Sequence, residues 1–504
     1  MMTSRQMRKT RATRESTCSI TTSNTANNNS KKRKSFVFFV TIMMLLTLAS
    51  NIFNVILLSY IESKKKSDEA ISRKVKVRKS WSEENKRFSD RMFYRLFRMH
   101  RPCFNRLCSR IQSAVGEKEF KSENYIEKLK RLGSSTPESR MFHAAQSTSG
   151  TYILGEIKVC LALRYLAGGT YLNLYLWYNA DPNYIMQVVH NVIEHWFCND
   201  RVITIDIYKN LFQSSTTIQR ISREFATGSG GILQGCIGAI DGWLVKIKCP
   251  SLFEVINPGK YMSRKGFFSL NVQAIVDKKK RILWRHIGQK GSSHDSSVFK
   301  NTKLYQHLLL ISNELFEKGL YLVGDSAYSI RNFILCPYDN TRPNSNEDSF
   351  NYFLSSQRIY VECAFGEIDR RWGVFWKPLE GSLVNHKHTI DAAMCLHNFI
   401  VEYREEMKNN GMSVDSEEYE NEELRYDSDE YLLENPGETI GVFGDNVGVR
   451  GRQETDQTLQ INRGLELRDK LCEALKDAGL SRPGNSSIIM HRDRHNRTVE
   501  TNNE

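Results

Sequence analysis

Between residues 230 and 400 the hydrophobic pattern keeps switching period, and acids stand where apolar runs stop. Cys236-Ile237-Gly238-Ala239-Ile240 is an apolar run of strand length that stops at Asp241. Residues 243–249 alternate, with Trp243, Val245, Ile247 and Cys249 on one face. Leu270, Val272, Ala274 and Val276 alternate in turn, and residues 282–287 resume the pattern after a lysine-rich turn. Period-two runs joined by short connections predict an antiparallel meander. A helical stretch then covers about residues 298–320, and a fourth strand at 320–323 ends in Gly324-Asp325. After a loop rich in Asn, Asp and Pro, Ser355 or Ser356 is placed to cap a helix. Its buried stripe is Val361, Phe365, Ile368 and Trp372. Strands followed by a strand and a helix predict a mixed α/β domain over 230–400.

Three acids stand out by position. Asp241 closes the first strand, Asp325 closes the fourth, and Glu362 lies early in the capped helix. Strand C-termini are where α/β sheets present ligands. Carboxylates gathered at one place repel unless a cation sits between them. An all-oxygen ligand set suits Mg²⁺ or Mn²⁺ rather than zinc. Two such ions would activate a water or a 3′-hydroxyl and stabilise the leaving oxygen of a phosphodiester. Asp277 follows the third strand in the same way and is given no role.

The blocks around these acids resemble the Harbinger-type DDE transposases. They are Gly238-Ala239-Ile240-Asp241-Gly242; Tyr261-x-x-Arg264-Lys265-Gly266 with Ser269-Leu270-Asn271-Val272-Gln273; and Gly291-Ser292-x-His294-Asp295-Ser296. Leu322-x-Gly324-Asp325-Ser326-x-Tyr328 follows. The last block runs from Phe350-Asn351 through Leu354-Ser355-Ser356-x-Arg358, Glu362-x-x-Phe365-Gly366 and Arg371-Trp372 to Leu396-His397-Asn398-Phe399. The resemblance implies an RNase H-like fold and a catalytic triad of Asp241, Asp325 and Glu362, with the last two 37 positions apart. It further implies a DNA endonuclease that frees a 3′-hydroxyl and uses it for strand transfer, two divalent ions (Mg²⁺ or Mn²⁺), a Myb-like DNA-binding partner and a nuclear location. Asp295 is either a further metal ligand or the cap of the helix ahead of Val298. Trp243, Lys290 and Asp369 depart from the family's usual residues. Asp369 stands where a basic residue is common.

Basic residues flank the acids. Lys260, Arg264 and Lys265, interleaved with Tyr261, Phe267 and Phe268, read as a grip on backbone phosphate or as a solvated hairpin tip. Arg358, Arg370 and Arg371 either neutralise phosphate or pair with acids such as Glu367. Phe365 and Trp372 belong to the apolar stripe and read as core.

Charge is unevenly spread. Residues 401–445 hold 15 acids against 3 bases, in a chain whose net charge is +14. A basic body with an acidic tail points to a polyanionic partner, DNA first. The tail, 401–504, reads as mostly flexible, with a short amphipathic helix near 465–475 able to dock. The 11 cysteines are scattered and form no Cys-x-x-Cys pair. Cys103, Cys108 and His100 could ligate a metal, but no second pair at finger spacing follows, so they read as buried.

Residues 1–34 form a polar, basic tail read as disordered. Residues 35–61 run 27 positions without a charge, enough to span a bilayer, and three lysines follow. The alternatives are a buried helix or an added N-terminal extension. The cluster at 31–34 is a nuclear-import patch or the charged flank of that run. Residues 80–200 read as helical: an apolar helix at 159–166, the Gly168-Gly169 turn, and a helix opened by Asp181-Pro182. That outline is a helix-turn-helix module or an ordinary helical subdomain. The sequence therefore supports a metal-dependent endonuclease or transposase, able to form homo-oligomers. The alternatives are a domesticated DNA-binding protein without catalysis and a membrane-anchored protein carrying a nuclease-like domain.

Overall fold

A five-stranded mixed sheet organises the domain that carries the acids. In this computed structural model, residues 24–72, 81–149, 152–178, 181–203, 205, 215–411 and 453–483 are described. The strands are β1 (Cys236–Lys246), β2 (Ser269–Val276), β3 (Ile282–Lys290), β4 (Tyr321–Val323) and β5 (Ile334–Leu335), in the order β3-β2-β1-β4-β5. β1, β2 and β3 form the expected antiparallel meander, whereas β4 and β5 join it in parallel. β2 is buried at every position, which sets the sheet in the middle of the core.

Two expectations about the sheet change. The runs expected at 236–240 and 243–249 are one strand that passes straight through Asp241. An unbroken ladder to β2, from Ala239↔Val276 to Lys246↔Ser269, keeps the chain extended there. Asp241 is thus a mid-strand residue. The two-residue β5 lies below the length at which alternation is visible in a sequence.

The helices also shift. The stretch expected at 298–320 is three short helices, the first being α6 (Asp295–Lys300). Helix α7 (Asn346–Arg371) starts some ten residues earlier than expected. Its cap is Ser345, whose hydroxyl accepts from the Asp348 N–H at 3.1 Å, and Phe350, Phe353 and Leu354 carry the buried stripe back past Ser355 and Ser356. Ser356 is accommodated inside the helix because its hydroxyl donates to the Phe353 carbonyl. Phe365 and Trp372 are core, as their stripe implies.

Helix α8 (Leu383–Asn409) packs on β3 and takes up the first residues of the acidic segment. Its Leu396-His397-Asn398-Phe399 block is a staple. The Asn398 amide bonds both the N–H and the C=O of Ile282 at 2.7 Å, and His397 Nε2 donates to the Lys280 carbonyl at 2.8 Å. Helix α9 (Gln453–Asp477) packs on α7. The Tyr338 hydroxyl donates to Asp469 at 2.6 Å, and Arg468 stacks on the Tyr338 ring.

Ahead of the sheet the chain is helical. Helix α2 (Arg101–Val115) is joined to α8 by the ion pairs Arg106–Glu406 and Arg110–Glu402. Cys103 and Cys108 are buried in its apolar face, and burial pushes the Cys103 thiol up to about 12. The helix-turn-helix outline gains a member. After α3 (Gly155–Leu166) and the glycine turn comes α4 (Tyr171–Tyr178), and only then α5 (Pro182–Asn191), capped by Asp181. These helices belong to the same compact unit as the sheet.

Residues 1–75 form a separate unit built on α1 (Asn24–Ser72). Its span Phe38–Lys64 is long and apolar enough to cross a membrane, and its large apolar side chains are exposed. The helix begins inside the stretch read as disordered, since an apolar run propagates helix into its flanks. Residues 1–23, the acidic stretch 412–452 and the end at 484–504 lie outside the described residues.

Candidate active site

The register of β1 against β4 brings the two aspartates together. Ala239 pairs with Val323 in parallel, so Asp241 and Asp325 each follow two residues beyond a matched pair. Neighbouring strands are about 4.8 Å apart, so the two carboxylates emerge side by side. Asp241 Oδ1 accepts from the Gly242 N–H at 2.7 Å, and Asp325 Oδ1 accepts from the Ala327 N–H at 3.0 Å.

Helix α7 delivers the third acid. It packs across β1, with Phe365 stacked on Trp243 at 5.6 Å between ring centroids. Trp243 thus anchors the helix that carries Glu362. Arg358 lies one turn before Glu362 and bridges the site: its Nη1 donates to Asp241 Oδ2 at 3.2 Å and forms an ion pair with Glu362 Oε1.

The electrostatics record how much negative charge is gathered here. Burial first, then the charge of Asp325, pushes the Asp241 carboxyl up to about 7, against the opposing pull of Arg358. Burial also raises Asp325, with Asp295 adding to it and Arg358 and Arg264 opposing. Tyr328, three residues past Asp325, buries a hydroxyl that has no hydrogen-bond partner among the described residues. Burial and the charges of Asp295, Asp241 and Asp325 push its phenol up.

Asp295 stands on the other side of β1. It is the first residue of α6, and His294 holds the cap position. Its Oδ1 accepts from Asn271 Nδ2 at 2.7 Å, and its carbonyl accepts from Gln273 Nε2 at 2.7 Å. The carboxylate lies directly over Gly242. Since Gly242 faces away from its neighbour Asp241, Asp295 and Asp241 flank the same stretch of backbone from opposite faces.

The basic residues separate into two groups. Lys260, Arg264 and Lys265 are exposed on the long β1–β2 connection. That connection is tied to the segment before Asp295 through the Ser292 N–H, which donates to the Lys260 carbonyl at 3.3 Å, and the charge of Arg264 reaches Asp325. Arg370 is exposed in the last turn of α7. Arg371 turns inward, its Nη1 donating to the Arg98 carbonyl at 3.2 Å. Glu367 pairs with Lys280, and Asp369 accepts from the Trp376 indole N–H through its carbonyl.

Among the described residues no three Asp, Glu, His or Cys side chains stand close enough to hold a metal ion as they are. The Arg358 guanidinium stands between Asp241 and Glu362. The donor set still fits a hard divalent cation: the acids are all oxygen donors, and burial together with neighbouring carboxylates, Asp325 for Asp241 and Asp295 for Asp325, raises the carboxyls of Asp241 and Asp325.

Sequence reasoning passed over Asn271 and Gln273 as single residues. The signal was present: two amide side chains at alternate positions of a wholly buried strand need a polar partner.

Residues 240–398, which contain every one of these acids, match the family described as DDE superfamily endonuclease. The chain is 27% identical over 204 residues to "Protein ALP1-like" of Arabidopsis thaliana, covering 38% of this chain and 48% of that one. It is 27% identical over 197 residues to "Putative nuclease HARBI1" of Rattus norvegicus (37% and 51%), and 25% identical over 214 residues to the Homo sapiens protein of that name (41% and 57%). Residues 240–398 are thus similar to the DDE superfamily endonucleases. The chain spans about half the length of the curated relatives it matches. No solved structure matches it. Within the matched segment, β1, β4 and α7 supply the three acids, and the Leu396-His397-Asn398 staple closes it.

Proposed function

We propose that the chain is a divalent-metal-dependent DNA endonuclease of the transposase type, with Asp241, Asp325 and Glu362 as its catalytic acids. The observation that carries the reading is the register Ala239↔Val323, which sets two half-buried aspartates side by side, with Arg358 tying Glu362 to the first. Three antiparallel strands continued by two parallel ones support an RNase H-like fold. Asp241, Asp325 and Glu362 would hold Mg²⁺ or Mn²⁺, two ions in the full reading, with Asp295 supporting from behind Gly242. Bound there, the ions supply Lewis acidity, lowering the pKa of the attacking water or 3′-hydroxyl and stabilising the leaving oxygen.

The chain's own residues do the rest. Lys260, Arg264 and Lys265 attract the DNA backbone to the edge where the acids open, and Arg370 extends that basic rim. Water adds to phosphorus as the P–O3′ bond breaks, leaving a 5′-phosphate and a 3′-hydroxyl. In strand transfer that hydroxyl would attack the phosphorus of a second phosphodiester at the same site, joining the two strands as the target's P–O3′ bond breaks and its 3′-oxygen leaves as a new 3′-hydroxyl. End recognition and nuclear entry are assigned to a Myb-like partner, and work on two transposon ends calls for a homo-oligomer.

The test is cleavage of end-containing DNA by purified protein with Mg²⁺ or Mn²⁺, beside Asp241→Asn. Metal-dependent cleavage lost in the variant is expected. Equal cleavage in both refutes the catalytic assignment, and binding without cleavage in both indicates a domesticated DNA-binding protein.

The exposed apolar span of α1 favours a second reading, a membrane-anchored nuclease. Fractionation of cells expressing the chain with and without residues 1–66 separates the two. A full-length chain that is nuclear and salt-extractable excludes the anchor.

A further inference from the structure

Arg358 occupies the place where the acids call for a cation. A single nitrogen, Nη1, serves both Asp241 Oδ2 and Glu362 Oε1. The same guanidinium charge acts on Asp325. Arg358 has no partner besides these two carboxylates among the hydrogen bonds and ion pairs of the described residues, and the Glu362 side chain is 47% exposed, so solvent reaches the bridge. Carboxylate oxygens ligate Mg²⁺ at about 2.1 Å. Two carboxylates that share one guanidinium nitrogen between them cannot also share a metal ion in that arrangement.

We propose that Arg358 is a built-in counter-ion that competes with the divalent cation for Asp241 and Glu362 and releases them when a DNA phosphate takes its guanidinium. The proposal rests on the nuclease reading above and concerns how that site is loaded. A planar guanidinium binds phosphate through two parallel hydrogen bonds, so backbone phosphate is a better partner than half a share in each of two carboxylates. Cation and DNA then help one another through one side chain. Such coupling is reciprocal: DNA tightens cation binding by the factor by which the cation tightens DNA binding.

The experiment is Mn²⁺ titration of the full chain without DNA, read by the electron paramagnetic resonance of free Mn²⁺, for wild type, Arg358→Gln and Arg358→Lys. Removing a competitor worth one ion pair is expected to tighten Mn²⁺ binding about tenfold in Arg358→Gln. Arg358→Lys, which keeps a charge but not the fork, falls between. A merely structural arginine would not produce a gain of affinity. In a second arm, duplex binding is followed by fluorescence anisotropy with and without Ca²⁺. The wild type tightens with the ion, and Arg358→Gln does not respond. Equal or weaker Mn²⁺ affinity in Arg358→Gln overturns the proposal and leaves the nuclease reading standing. No Mn²⁺ binding by any of the three overturns the nuclease reading, and this proposal with it.

Discussion

The Asp295 carboxylate lies so close over Gly242 that a Cβ on residue 242 would stand 2.4 Å from its Oδ1. Gly242 is therefore fixed by close approach, not by turn geometry, since it sits within β1. Gly242→Ala must push Asp295 off its two amide partners or bend the strand beside Asp241. The expected cost is about 1–3 kcal/mol, read as a lower urea midpoint, with weakened Mn²⁺ binding. Gly366, on the exposed side of α7, meets nothing within 4 Å and serves as the control. Gly366→Ala should gain up to about 1 kcal/mol.

Asn271 holds the charge of Asp295 inside the protein. Asn271→Leu is nearly the same size but leaves that carboxylate without its shortest hydrogen bond. A loss of about 2 kcal/mol is expected. The same change made in an Asp295→Asn background should cost less, because the charge is gone. A double-mutant cycle on urea denaturation measures the difference.

His397 gives the fold a pH dependence remote from the acids. Burial first holds its imidazole down to about 4, from an ordinary value of 6.5, so it stays neutral and donates from Nε2 to the Lys280 carbonyl. The unfolded chain takes up a proton below pH 6.5 and the native chain does not until about pH 4, so stability falls as the pH drops through that window. The loss between pH 7 and 4.5 is about 2 kcal/mol. His397→Gln keeps an N–H donor and removes the titration. Urea midpoints across this range should fall less steeply for the variant than for the wild type.

The exposed Lys260, Arg264 and Lys265 should act on DNA without regard to sequence. Replacing each by Ala should weaken duplex binding similarly for any sequence, and the salt slope should fall by about one for each residue removed. Arg371→Ala should lower stability with little change in that slope, because its guanidinium bonds the Arg98 carbonyl. Binding isotherms at several salt concentrations make the comparison.

Much of this was legible in the residues. The alternation in 270–276 and 282–287 marked the meander, and Asp325 does follow its strand. The Harbinger resemblance, carried by blocks spread over 230–400, matches the family found for 240–398. What could not be read depended on contacts between distant segments. Asp241 looked like a strand end because apolar residues stop there, yet the β2 ladder carries the strand through it. Ser355 and Ser356 looked like caps, but the buried stripe begins earlier at Phe350. Helix α4 was hidden because its residues are apolar on all sides and show no period. The Arg358 bridge was out of reach for a similar reason: spacing pairs it with Glu362 one turn on, and only the packing of α7 on β1 adds Asp241.

The central claim is that Asp241, Asp325 and Glu362 form one cation-binding site. Anomalous diffraction from crystals of the full chain soaked in Mn²⁺ tests it most directly. The account predicts manganese peaks bracketed by these three carboxylates, with Arg358 Nη1 withdrawn from Asp241. Saturating Mn²⁺ that leaves no peak there, with Arg358 still bridging Asp241 and Glu362, would contradict it.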